Sequence, residues 1–144
     1  MDRLYTQAMA EELGVLMRWM HIASVACLSG GMIYGWIVAG AAAALTPEAR
    51  AELGERTAAA FRPLVLLSMV LLVISGIYNL LSNPGHSLKY HILLGVKLLL
   101  VAHIFAVAAL VVQPGHPRRG RLMAGGAISS LIVIGIAAYL RRIF

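Results

Sequence analysis

Four stretches of this 144-residue chain are apolar over the length of a membrane crossing, and that confines the fold to helices in a bilayer. They run from Leu13 to Leu45, Leu64 to Leu81, Ile92 to Val112 and Leu122 to Leu140. A backbone in hydrocarbon must satisfy its own N–H and C=O groups, so each stretch is predicted to be a helix. Residues are 60% hydrophobic and 12% charged, with a mean hydropathy of +0.84, which excludes an ordinary soluble domain. The expected architecture is a single all-α domain over residues 1–144, an integral membrane bundle of four transmembrane helices. The first stretch would be about 50 Å long if fully helical, more than the hydrocarbon thickness, so its ends are expected to project or bend.

Charge bears on the surroundings of the chain. The net charge is +6, yet all six acids precede Arg56 while nine of the twelve basic residues lie from Arg56 onward. Basic residues beside apolar spans contact lipid headgroups and set topology, so the expected partner is the bilayer and not nucleic acid. The opening MDRLYTQAMAEE carries two glutamates and lacks the basic start of a signal peptide, so an uncleaved first helix is expected. One cysteine, Cys27, excludes an intrachain disulfide.

The connections are equally readable. Thr46-Pro47-Glu48 has the form of an N-cap, a first-turn proline and an acid favoured by the helix dipole, which predicts a short amphipathic helix over Pro47–Ala60 between the first two spans. Glu52 and Arg56 are spaced to pair along it, and Phe61-Arg62-Pro63 should open the second span. Ser82-Asn83-Pro84-Gly85-His86 and Pro114-Gly115-His116-Pro117 read as reversals, with both histidines facing solvent. Arg50, Arg56, Arg62, Arg118, Arg119 and Arg121 share one side of such a bundle, against Arg3, Lys89, Arg141 and Arg142 with Arg18 near the other. The excess predicts a bacterial-type cytoplasmic membrane with the arginine-rich loops inside and both termini outside.

Within the apolar runs, Lys97 is the most conspicuous residue. An ammonium near the centre of a membrane helix costs roughly 2.5–3.5 kcal/mol on insertion scales, so such a group is expected to face the bundle interior or a cavity. The last three spans hold no acid to pair with it. Either Lys97 is neutral and offers a lone pair to a metal or haem iron, or it is charged and holds an anionic cofactor group. At 1.5 Å per residue, His21 in the first span reaches a depth close to those of Lys97 and His103 in the third. Lys97 and His103 are about 240° apart around their helix, so only one of them faces the bundle centre. Met17, His21, Ser24 and Leu28 form a partly polar stripe, with Arg18 one turn before His21. Arg18 either snorkels to headgroups or pairs with a cofactor carboxylate. Lys89, Tyr90 and His91 lie at the mouth of the third helix and Tyr78 and Asn79 at the end of the second, and together they form a polar rim.

Three segments carry a family resemblance: RWMHIASVACLSGGMIYGW, FRPLVLLSMVLLVISGIYNLL and YHILLGVKLLLVAHIFAVAAL. Their layout resembles the copper-resistance D-like (CopD-like) membrane domains over most of the chain. It is more distantly similar to HemJ-type protoporphyrinogen oxidases, which are also four-helix proteins of about this size. The HemJ likeness implies haem b held by a first-helix histidine and a third-helix lysine, positions matched here by His21 and Lys97. The chain departs from that family in lacking the Asn-Glu-Pro-Thr stretch of its last helix and the aromatic, proline-rich continuation of its first helix. The CopD likeness implies copper handling, for which Met17, Met20, His21 and Cys27 offer soft ligands.

These readings lead to three expectations. The first is a haem b protein using His21 with Lys97 or His103 as iron ligands, and Arg18 and His91 near the propionates. It would carry electrons or, as an oxidoreductase, oxidise a small hydrophobic substrate such as a quinol or porphyrinogen, with a quinone, a porphyrin or a membrane redox protein as partner. The second is a Cu(I) carrier or permease. The third is a non-catalytic subunit of a larger membrane complex or homo-oligomer, in which the polar groups serve helix packing alone.

Overall fold

The computed structural model describes residues 2–82, 88–116 and 118–142, and it is helical throughout, with no strand among the described residues. Four long helices follow in order: α1 (Asp2–Ala41), α2 (Pro47–Leu81), α3 (Leu88–Val111) and α4 (Arg119–Arg142). A single 3-10 turn, Ala42–Ala44, extends α1. All four helices are long and apolar enough to span a membrane, so the chain is a multi-pass membrane protein in contact with lipid.

Two boundaries differ from the sequence expectation. Helix α1 begins at Asp2 and not near Leu13, so its 40 residues extend about 60 Å and its first turns project beyond the hydrocarbon. The connector Pro47–Ala60 is helical and is capped as expected, the Thr46 hydroxyl accepting from the Ala49 N–H at 3.3 Å. It is not a separate helix, however, but the first turns of α2. Pro63 lies inside α2 and removes one backbone donor, yet its ring points to an exposed face and the helix continues through it. The predicted reversal after Ser82, including His86, lies outside the described residues.

Contacts between helix ends fix an up-down order. At the terminus face, Lys89 Nζ donates to the Tyr139 hydroxyl at 3.0 Å, joining α3 to α4. At the opposite, loop face, Arg119 pairs with Glu55 at 3.0 Å, joining α4 to α2. Helix α1 packs along both α2 and α4, and α3 packs along α4, whereas α2 and α3 scarcely touch. The bundle is thus closed on three sides and loose along the α2–α3 seam.

Small residues permit the close sides. Gly31 and Gly35 face Phe61 of α2 and Met123 of α4 respectively, as a small-xxx-small pair does when helices approach closely. Gly30 and Gly40 have open space beside them. Buried Ser24, Ser68 and Ser129 add further small contacts. The apolar core is made by Leu28 and Met32 of α1, Ile104, Val107 and Val111 of α3, and Ala127 of α4. It fills the half of the bundle nearer the loops, leaving the terminus half less densely packed.

Candidate functional site

A cavity of about 360 Å³ occupies that less densely packed half, and its lining comes from all four helices. His21 and Ser29 enter from α1, Gly76 from α2, Lys97 and Phe105 from α3, and Ser130 from α4. Most of the remaining wall is aliphatic. Val73, Ile77 and Leu80 of α2 and Leu98 of α3 line the cavity while staying exposed on the outer surface, so it opens sideways along the loose α2–α3 seam toward lipid.

The His21 ring is held in one orientation. Ser75 of α2 is wholly buried, and its Oγ lies 2.9 Å from His21 Nδ1. The same hydroxyl donates to the Leu71 carbonyl one turn back, at 2.6 Å. A hydroxyl has one hydrogen, and here Leu71 takes it, so Ser75 accepts from the His21 Nδ1–H. In a neutral imidazole the lone pair is then on Nε2. Gly76 keeps this face of α2 low: a Cβ there would stand 3.8 Å from His21 Cε1, in direct contact with the ring.

Lys97 lines the same cavity as His21. Of the two pairings that the depth comparison left open, His21 with Lys97 and His21 with His103, only the first shares this cavity. Ser130 has a different significance. It is 2% exposed, and its Oγ is the one buried side-chain polar atom among the described residues without a hydrogen-bond partner. An orphaned hydroxyl in a membrane interior is costly, and a ligand with a polar atom at that depth would satisfy it.

Other sequence candidates lie elsewhere. His103 is exposed on the outer face of α3, as its rotation from Lys97 requires. Arg18 is exposed on α1 and absent from the cavity lining. His91 is exposed at the mouth of α3, its ring edge-on to Tyr90 at 5.7 Å. Met17 and Met20 are half-buried outside the lining, and Cys27 is exposed. No cluster of three His, Cys, Asp or Glu side chains with metal-binding geometry occurs among the described residues.

Several contributors escaped the sequence reading, among them Ser29, Ser75 and Ser130. A serine in an apolar helix usually signals close packing, and the weak cue was Ser75-Gly76, two small residues in succession within a run of Leu, Val and Ile.

Compared with known proteins, the chain matches no family model, no curated protein and no solved structure.

Proposed function

We propose that this protein is a membrane haem b protein whose macrocycle lies in the cavity between α1, α2, α3 and α4. The observation that carries the reading is the His21 ring, oriented by Ser75 so that Nε2 is free to ligate iron. Three features fit the group. The donor is a fixed imidazole, the walls are aliphatic, and the volume of about 360 Å³ lies within the range of pockets that enclose a drug-sized ligand. The open seam would let a flat group larger than that volume project between α2 and α3.

Within this reading, His21 would ligate the iron and Lys97 would be the second residue holding the group. Lys97 serves there as the other ligand or as the cation for a carboxylate. Ser75 fixes the tautomer, and Ser130 offers a hydrogen bond deeper in the cavity. Bound haem would supply one-electron chemistry, with a potential tuned by ligand identity and burial. The lateral opening favours exchange with a lipophilic partner such as a quinol, which reaches the site through the bilayer. The distant likeness to HemJ-type domains supports the same His–Lys pairing. Placement in a bacterial-type cytoplasmic membrane, termini outside, follows from the arginine excess at the loop face.

The test is an optical spectrum of detergent-purified protein with iron analysis. A Soret band with stoichiometric iron is expected, lost in His21→Ala, altered in position or intensity in Lys97→Ala, and unchanged in His103→Ala. Iron-free wild-type protein that fails to take up added haem would sink the proposal, as would equal loss in the His21 and His103 variants.

A further inference from the structure

A second cavity, of about 460 Å³, lies at the loop face, remote from His21 and Lys97. It is enclosed by the end of α1, the first turns of α2, the α3–α4 connection and the start of α4. Two arginines line it, each fixed by the backbone of a helix end. Arg50 donates through Nε to the Ala42 carbonyl at 3.0 Å and through Nη2 to the Ala43 and Leu45 carbonyls at 2.7 and 3.2 Å. Arg119 donates through Nε to the Val111 carbonyl at 2.9 Å, and through Nη2 to the Gln113 carbonyl at 2.8 Å and to Glu55 at 3.0 Å.

These bonds use Nε and Nη2 of both residues and leave Nη1 of both without a hydrogen bond to the described residues. Two N–H groups therefore remain on each guanidinium. The Arg119 Nη1 lies against Gly54 in the cavity wall, 2.8 Å from where a Cβ would stand. His116 also lines the cavity, and its Nδ1 accepts from the Arg118 N–H at 3.3 Å, which leaves Nε2–H as a further donor in the neutral ring.

The charge balance favours an anion. Arg50 and Arg119 contribute two positive charges and Glu55 one negative, a net of one positive charge from the ionised side chains of the lining. The helix dipoles cancel to first order, because the C-terminal ends of α1 and α3 meet the N-terminal ends of α2 and α4 here. Apart from Arg50, Arg119, Glu55, Thr57 and His116 the wall is made of apolar side chains and glycines, among them Val38, Ala42, Leu53 and Met123. A cationic head region over an apolar wall, at the end of a membrane-spanning bundle, has the chemistry of an anionic amphiphile.

We propose that this cavity binds the phosphate head of an anionic membrane lipid, with Arg50 and Arg119 Nη1 on the phosphate oxygens and the first acyl carbons against Val38 and Leu53. Arginine orientation normally has to be fixed when a phosphate arrives. Here the helix-end carbonyls have already fixed it, so little side-chain freedom remains to be lost.

Native mass spectrometry of the full chain in mild detergent tests this, with phosphatidylglycerol, phosphatidylcholine and inorganic phosphate as separate probes. The expected result is retention of phosphatidylglycerol over phosphatidylcholine. Arg50→Gln should reduce that preference roughly five-fold, the factor for one cationic contact at a membrane surface. Because Arg50→Gln also removes bonds to the end of α1, Ala51→Glu is the second variant. It adds a negative charge to the lining, removes no hydrogen bond, and should lower the preference at an unchanged melting temperature. Equal retention of the two lipids overturns the proposal, and so does a full preference in Ala51→Glu. Binding of inorganic phosphate without any lipid preference overturns the assignment to lipid.

Discussion

At the scale of single residues, the most consequential group is Ser75, which the sequence hardly distinguishes from a packing residue. Its oxygen stands between the Leu71 carbonyl and the His21 ring, 54 positions away in the chain. Removing such an orienting partner from a metal-ligating histidine typically costs 10–100-fold in affinity. Ser75→Ala should accordingly retain the fold but bind haem about 10–100-fold more weakly in an optical titration. Undiminished affinity would mean that the ring needs no such support. His21 and Lys97 stand out in the sequence because they are ionisable groups in apolar runs, but rise per residue left His103 as an equal alternative to Lys97. Arg18, His91, Met17, Met20 and Cys27 were less so. Depth along a helix axis says nothing about the direction in which a side chain leaves it.

At the scale of elements, the four helices follow from hydropathy alone, because hydrocarbon leaves the backbone no other way to satisfy itself. Their ends do not. The polar start of α1 and the connector before Pro63 have no apolar periodicity to reveal that each continues an adjoining membrane helix. Packing between helices is set by glycines of unequal importance. A Cβ at Gly126 would collide with the Met32 thioether and come within 3.1 Å of Val107 Cγ1, while Gly125 has nothing within 4 Å. The thioether can swing aside, but a β-branched valine within a helix cannot. Gly126→Ala should destabilise the bundle by about 1–3 kcal/mol, the usual cost of overpacking. Gly125→Ala should leave thermal unfolding in detergent unchanged, and equal melting of the two variants would show that the α1–α3–α4 junction is looser than described.

At the scale of the whole molecule, the loop face is held together by charge. The Glu55 carboxyl is kept below the usual carboxylate range, chiefly by the Gly115 N–H at 2.8 Å and next by Arg119. Its pKa is thus lower folded than unfolded, and the unfolded chain binds more protons as the pH falls. The contribution to stability is complete above the unfolded value near pH ~4.3 and is lost as the pH drops through the folded value. Melting temperature in detergent should therefore fall on acidification below about pH 4.3, and fall less in Glu55→Gln. Parallel curves for the two proteins would remove Glu55 from the account. The exposed Glu52–Arg56 pair, at 2.6 Å, was predictable from its spacing and contributes only about 0.3–0.5 kcal/mol. The long-range Glu55–Arg119 pair matters more to the fold, yet no local pattern announces a contact across 64 positions.

The loose α2–α3 seam also bears on the order of biosynthesis. Helices α1 and α2 form one hairpin, α3 and α4 another, and the two hairpins adhere through α1 and α4. Each hairpin can therefore leave the translocon complete, and the second can zip onto the first without waiting for α2 to meet α3. Were the proposed haem to bind, it would load after translation has ended, through an edge that assembly itself never needed to seal.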